Sequence, residues 1–111
     1  MLKKSHRLST KEFMKVMEKG RVYHSPVFVM RSIQVQVGTK ISAVAPKKIA
    51  PTAVARNLIR RRIYEAIQPN IKSIIPGTHA IIFAKTEAIK TDVKTMATEL
   101  KSLFMKAKIG V

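Results

Sequence analysis

Cysteine is absent from this 111-residue chain. That excludes a disulfide framework and any zinc site built on thiolates, and it fits a reducing compartment. Acidic residues are scarce as well: six carboxylates stand against 22 lysines and arginines, a formal net charge of +16. None of the six is paired in a way that would hold metal ions for a protein nuclease. Long apolar runs are missing, so no segment is expected to span a bilayer. The opening Met1-Leu2-Lys3-Lys4 is basic and lacks the apolar stretch of a secretory signal. His6, His24 and His79 lie too far apart for metal-ligand spacing and read as surface or hydrogen-bonded side chains.

What is present is apolar material and positive charge. Hydrophobic residues make up 46% of the chain, enough for one core, and the length suits one domain over residues 1–111. A chain this basic repels itself and associates with polyanions. Of the two realistic polyanions, nucleic acid and an anionic membrane, the missing apolar segments favour nucleic acid, in the cytoplasm.

The pattern along the chain is mixed. Ser9 to Lys19 reads as a helix, with a Ser9/Glu12 capping box, an apolar Phe13-Val16-Met17 stripe and a stop at Gly20. Strand texture follows at Val22-Tyr23 and from Val27 to Val37. There, alternation places Val29, Ile33, Val35 and Val37 on one face and Ser32, Gln34 and Gln36 on the other. Gly38-Thr39 predicts a hairpin into Lys40 to Ala45. After the Pro46-Lys47-Lys48 loop comes a helix from about Ala53 to Ile67, ended by Pro69, with Ala55, Leu58, Ile59, Ile63, Ala66 and Ile67 as its apolar side. Ile75-Pro76-Gly77 is a turn, Thr78 to Ala84 a buried strand, and about Lys90 to Lys106 a closing helix. The order α-β-β-β-α-β-α describes one α+β sandwich, a sheet with helices packed on it.

The second helix combines charge with geometry. Residues three or four apart are neighbours on a helix, so Arg56, Arg60 and Tyr64 form one ridge and Asn57 and Arg61 the next. Arg56 and Arg62 sit near the edges of the apolar stripe. A guanidinium fork holds phosphate oxygens bidentately and stacks on bases, and the Asn57 amide suits a 2′-hydroxyl or a base edge. Glu65, the single acid there, is spaced to orient Arg61. Solvation is the plain alternative for any charge run, but such a face is normally lysine and glutamate. Four arginines in seven residues with Asn57 among them point to binding. Lys47 and Lys48 extend the patch, although alone they would be ordinary loop solvation.

The stretch from Lys47-Lys48 through Ala53-Val54-Ala55-Arg56-Asn57-Leu58-Ile59-Arg60-Arg61-Arg62-Ile63-Tyr64-Glu65 resembles the signature of the protein subunit of bacterial ribonuclease P. The flanks resemble it too: Arg7-Leu8, Phe13, Val16 and Gly20, then Phe28-Val29, then Ala80-Ile81-Ile82-Phe83-Ala84-Lys85. The resemblance implies a fold like domain 2 of ribosomal protein S5, with a left-handed crossover through the arginine helix, against the usual right-handed rule. It implies RNA-subunit binding by Lys47, Lys48, Arg56, Asn57, Arg60, Arg61 and Arg62. It also implies catalysis by that RNA, with Mg2+ held mainly there, in cleaving the 5′ leader from precursor tRNA. The protein would help the RNA fold, raise affinity for the precursor and favour metal binding. A cleft between the first helix and the sheet would hold the leader on aromatic residues. Phe13 matches one such position, whereas Met17 and Arg31 depart from the aromatic pattern. Methionine still offers polarizable contact and arginine can stack or hold a phosphate. On periodicity alone, Phe13, Val16 and Met17 are ordinary helix core.

Two other readings fit the basic sandwich: a small ribosomal protein and a DNA-binding helix-turn-helix protein. The second is the weaker, because the arginine helix follows a strand and a proline loop and no first helix joined by a short turn.

Overall fold

The structure is a computed structural model describing residues 6–35 and 38–108. Lys3 and Lys4, together with the Gln36-Val37 end of the expected long strand, lie outside the described residues. The elements are α1 (Thr10–Lys19), β1 (Arg21–His24), β2 (Phe28–Gln34), β3 (Lys40–Val44), α2 (Ala53–Ile67), β4 (Thr78–Ala84) and α3 (Val93–Lys106). Short 3-10 turns, Gln68–Ser73 and Thr86–Lys90, precede β4 and α3. The order is the expected α-β-β-β-α-β-α, in a mixed α+β architecture.

Local signals set the helix starts. The Ser9 side chain accepts from the Glu12 backbone N–H while Glu12 accepts from the Ser9 N–H at 2.8 Å, the reciprocal capping box that supplies two orphan donors. Thr52 caps α2 by accepting from Ala55 N–H. Asp92 caps α3 by accepting from Thr95 N–H, which is why this helix begins at Val93, past the expected Lys90. Gly20 does end α1, but in an extended conformation. Its need for no side chain is steric: a Cβ there would collide with the Val16 carbonyl and press on Arg31.

The sheet runs β1-β2-β4-β3, and this overturns the expected hairpin at Gly38-Thr39. β3 does not pair with β2; β4 lies between them, antiparallel to β2 and parallel to β3. The reason is apolarity on both sides. Ala80, Ile81 and Ile82 are all fully buried, so β4 takes an interior position and α2 supplies the crossover that parallel pairing needs.

Face assignment in β2 also differs from the alternation pattern. Phe28, Met30 and Ser32 face the main core, while Val29 and Ile33 are half-buried on the opposite face. Both faces of this sheet are covered, α2 and α3 packing on one and α1 on the other. β-branched residues are therefore useful on either side, and polarity alone does not tell which is the larger core. The main core joins Phe28, Met30, Ile41 and Ile82 to Ile63 and Ile67 of α2 and to Met96, Leu100 and Phe104 of α3. The buried Asn70 amide donates to the carbonyls of Ala66 and Ala97 and so ties the end of α2 to α3.

α1 is clamped to the sheet edge by Lys40 of β3, whose Nζ lies 3.0 Å from Glu12 Oε2. The Ser9 backbone N–H and then Lys40 hold the Glu12 carboxyl down from 4.5 to about 2. A depressed carboxylate pKa contributes stability that is complete above the unfolded value and is lost as pH falls through the folded one. Between pH 5 and pH 2, Glu12→Ala should therefore lose less stability than the parent chain, and at neutral pH it should be destabilised by about 1 kcal/mol. Thermal unfolding across that range checks both; parallel pH curves for the two proteins would refute the clamp.

Candidate nucleic-acid interface

The apolar line that seats α2 is Ile59, Ile63, Ala66 and Ile67, four residues at helical spacing, all buried. Leu58, expected in that stripe, is 49% exposed, and Val54 is 80% exposed. Both lie well round the helix from the Ile59–Ile63 line and outside the main core cluster. Tyr64 departs in the other direction. Helical phase put it on the outward arginine ridge, yet it is buried and its hydroxyl accepts the Ala43 backbone N–H of β3 at 3.0 Å.

The arginines divide by what they touch. Arg56 is half-buried and folds back on the entry to its own helix, donating to the carbonyls of Ala50 at 3.1 Å and Pro51 at 2.9 Å. Arg62, also half-buried, reaches the Ile89 carbonyl at 3.5 Å. Arg60 and Arg61 are exposed on one flank with Asn57, whose side-chain oxygen accepts from Arg60. Glu65 forms no ion pair with Arg61; among the described residues the ion pair present is Lys40–Glu12. Lys47 and Lys48 are exposed in the turn after β3, where the Pro46 carbonyl accepts from Ile49 and Ala50 N–H. Lys48 borders a shallow groove of about 640 Å³ with Lys85, Ile49 and Ile89.

The second face of the sheet gathers the other candidates. Val16 anchors α1 and is fully buried, Phe13 is half-buried and Met17 is 38% exposed. Arg31 of β2 donates from Nη1 to the Met17 carbonyl at 3.2 Å, which sets a cation against the C-terminal turn of α1. Strand register aligns Arg31 with Val22 and Ile81, and Val29 with His24 and Phe83. Phe83 is half-buried on this face, and Val44 of β3 is its parallel partner. Sequence reasoning took Phe83 only as part of a buried strand. Its place on β4, opposite in alternation to the core-facing Ala84 and Ile82, was the available signal. Arg7, which meets Tyr64, was missed for want of any spacing that relates it to α2.

The six carboxylates do not suit a protein-held magnesium ion, which favours clustered oxygen ligands. Glu12 and Asp92 are engaged as helix caps, and no group of three potential ligands occurs among the described residues. No helix among the described residues is long and apolar enough to cross a membrane.

The family profile described as Ribonuclease P matches residues 2–108. The ribonuclease P protein component of Picosynechococcus is 30% identical over 97% of this chain and 95% of its own length. That of Exiguobacterium sibiricum is 29% identical over 97% and 95% respectively. Among solved structures, the Staphylococcus aureus RNase P protein superposes with a TM-score of 0.81 at 23% identity, covering 97% of this chain and all of the other. The Thermotoga maritima RNase P protein gives a TM-score of 0.78 at 19% identity, covering 90% and 96%. These structural likenesses show the same fold. The chain belongs to the ribonuclease P protein family, a membership that implies an RNA partner and a part in tRNA 5′ processing.

Proposed function

We propose that this chain is the protein subunit of a cytoplasmic ribonuclease P that docks on the catalytic RNA through α2. The observation that carries the proposal is the exposed flank of Asn57, Arg60 and Arg61, seated by the buried Ile59–Ile63 line, with Lys47 and Lys48 exposed in the turn before the helix. These side chains present charge and forked donors to a phosphate backbone. Arg56 and Arg62 add charge at the flanks, Arg56 while bracing the start of α2 and Arg62 while reaching the turn before α3. Cleavage of the precursor belongs to the RNA in this proposal, with magnesium ions on the RNA's own oxygens. The scattered carboxylates of the protein agree with that division.

The 5′ leader of precursor tRNA would then lie across the second sheet face. Phe13 and Met17 supply its apolar contacts, Arg31 a cation, and Phe83 an aromatic surface on the same sheet face. Adding the purified chain to a bacterial ribonuclease P RNA at low magnesium should stimulate 5′ processing. It should also tighten binding of precursor tRNA and leave that of mature tRNA little changed. Absence of stimulation with several such RNAs would sink the proposal, and equal tightening for precursor and mature tRNA would remove the leader from it.

A further inference from the structure

A recess of about 320 Å³ lies between the segment preceding α1 and the arginine flank of α2, lined by Arg7, Asn57, Arg60, Arg61 and Tyr64. We propose that it is a binding site for one backbone phosphate of the RNA subunit, closed by Arg7 from outside the arginine helix. The proposal rests on α2 being the RNA-docking element.

The chemistry of the lining is one-sided. Three of its five residues carry guanidinium groups, a fourth is an amide, and no carboxylate lines the recess. Like charges gathered on one small concavity repel one another, and an anion relieves that cost. Phosphate oxygens accept hydrogen bonds, and guanidinium forks only donate. The volume exceeds that of a phosphate group alone, so the attached ribose has room to enter with it.

Both walls are anchored to the same strand, which distinguishes the recess from a chance meeting of mobile side chains. Tyr64 forms the floor and is fixed to β3 through its hydroxyl and the Ala43 N–H. The other wall is tied to β3 as well, because the Leu8 N–H donates to Ser42 Oγ at 3.0 Å. Arg7 then lies with its guanidinium carbon 4.7 Å from the centroid of the Tyr64 ring. That is within the range of a cation–π contact, which orients the guanidinium and preserves its charge. The Arg60–Asn57 hydrogen bond orders the third side of the recess. Preorganised donors of this kind bind an anion with little further loss of side-chain freedom.

The test is equilibrium binding of the full chain to ribonuclease P RNA across a salt series, for the parent, Arg7→Gln and Arg7→Lys. Arg7→Gln should weaken binding roughly tenfold at low salt. Its log–log salt slope should be shallower by up to about 0.7–0.9, the value for one neutralised phosphate, because Arg61 still faces the same group. Arg7→Lys, which keeps the charge without the planar fork, should restore the slope with only part of the affinity. In a cycle with Arg61→Gln, the double variant should lose less than the sum of the single losses, since both side chains hold one phosphate. Thermal unfolding of each variant establishes that it is folded at the assay temperature. An unchanged slope for Arg7→Gln would overturn the proposal and leave Arg7 a packing partner of Tyr64. So would a loss confined to precursor tRNA binding by the preassembled holoenzyme, since the phosphate would then be the substrate's. Failure of the parent chain to bind the RNA at all would instead refute the docking role of α2.

Discussion

Replacing Arg60 and Arg61 together by alanine should weaken binding to ribonuclease P RNA by about 100-fold or more at low salt, with the fold intact. Each side chain is exposed on α2 and contributes nothing to the buried Ile59–Ile63 line. Removing both therefore spares the core. A charge-assisted hydrogen bond contributes about 1.5–3 kcal/mol, so two lost together reach that factor. If Arg60 neutralises one phosphate and Arg61 shares another with Arg7, the log–log salt slope should fall by more than about 0.7 and by less than about 1.8. Filter binding or fluorescence titration from low to moderate salt measures both quantities. Reduced affinity with an unaltered slope would mean that the two arginines act through something other than phosphate.

Ile63→Ala should destabilise the protein by about 2–5 kcal/mol, whereas Leu58→Ala on the same helix should change stability by no more than about 0.5 kcal/mol. Ile63 is fully buried in the cluster that joins α2 to the sheet and α3, and Leu58 is half exposed and outside that cluster. Single domains are stable by only about 5–15 kcal/mol, so the first loss removes a large share. Because α2 is seated by the residues around Ile63, RNA binding should fail on warming Ile63→Ala well before it fails in Leu58→Ala. Chemical denaturation of both variants decides the matter: similar midpoints would mean that α2 is not held by its buried line.

That contrast shows what was and was not legible in the chain. Element positions were legible because the signals are local. The Ser9–Glu12 capping box, the breadth of α2 from Ala53 to Ile67 and the span of β4 from Thr78 to Ala84 all depend on residues a few positions apart. Gly77, with φ of 85°, is the left-handed residue that the Ile75-Pro76-Gly77 turn requires. What failed depends on residues distant in sequence. Periodicity grouped Leu58 with Ile59 and Ile63, but only the placement of β3, β4 and α3 decides which side of α2 is covered. Alternation in β2 found two faces and could not rank them, because α1 covers the second. The hairpin at Gly38-Thr39 was lost to a pairing with β4, some forty residues on in the chain. Arg7 and Tyr64 meet only because both are attached to β3, a relation that no spacing records.

For the interface the same division holds. The arginine run, Asn57 and the lysine pair were visible as residue types. Their division into bracing residues, Arg56 and Arg62, and outward ones, Arg60 and Arg61, required the carbonyls of Ala50, Pro51 and Ile89 to be in place.

Docking of α2 onto a catalytic RNA has its clearest readout in the cleavage of precursor tRNA at low magnesium. The rate is followed as protein is titrated onto a bacterial ribonuclease P RNA. The parent chain should raise the rate, and the Arg60→Ala/Arg61→Ala variant should reach the same rate only at about 100-fold higher concentration. No stimulation by the parent, or equal half-saturating concentrations for the two proteins, would contradict it.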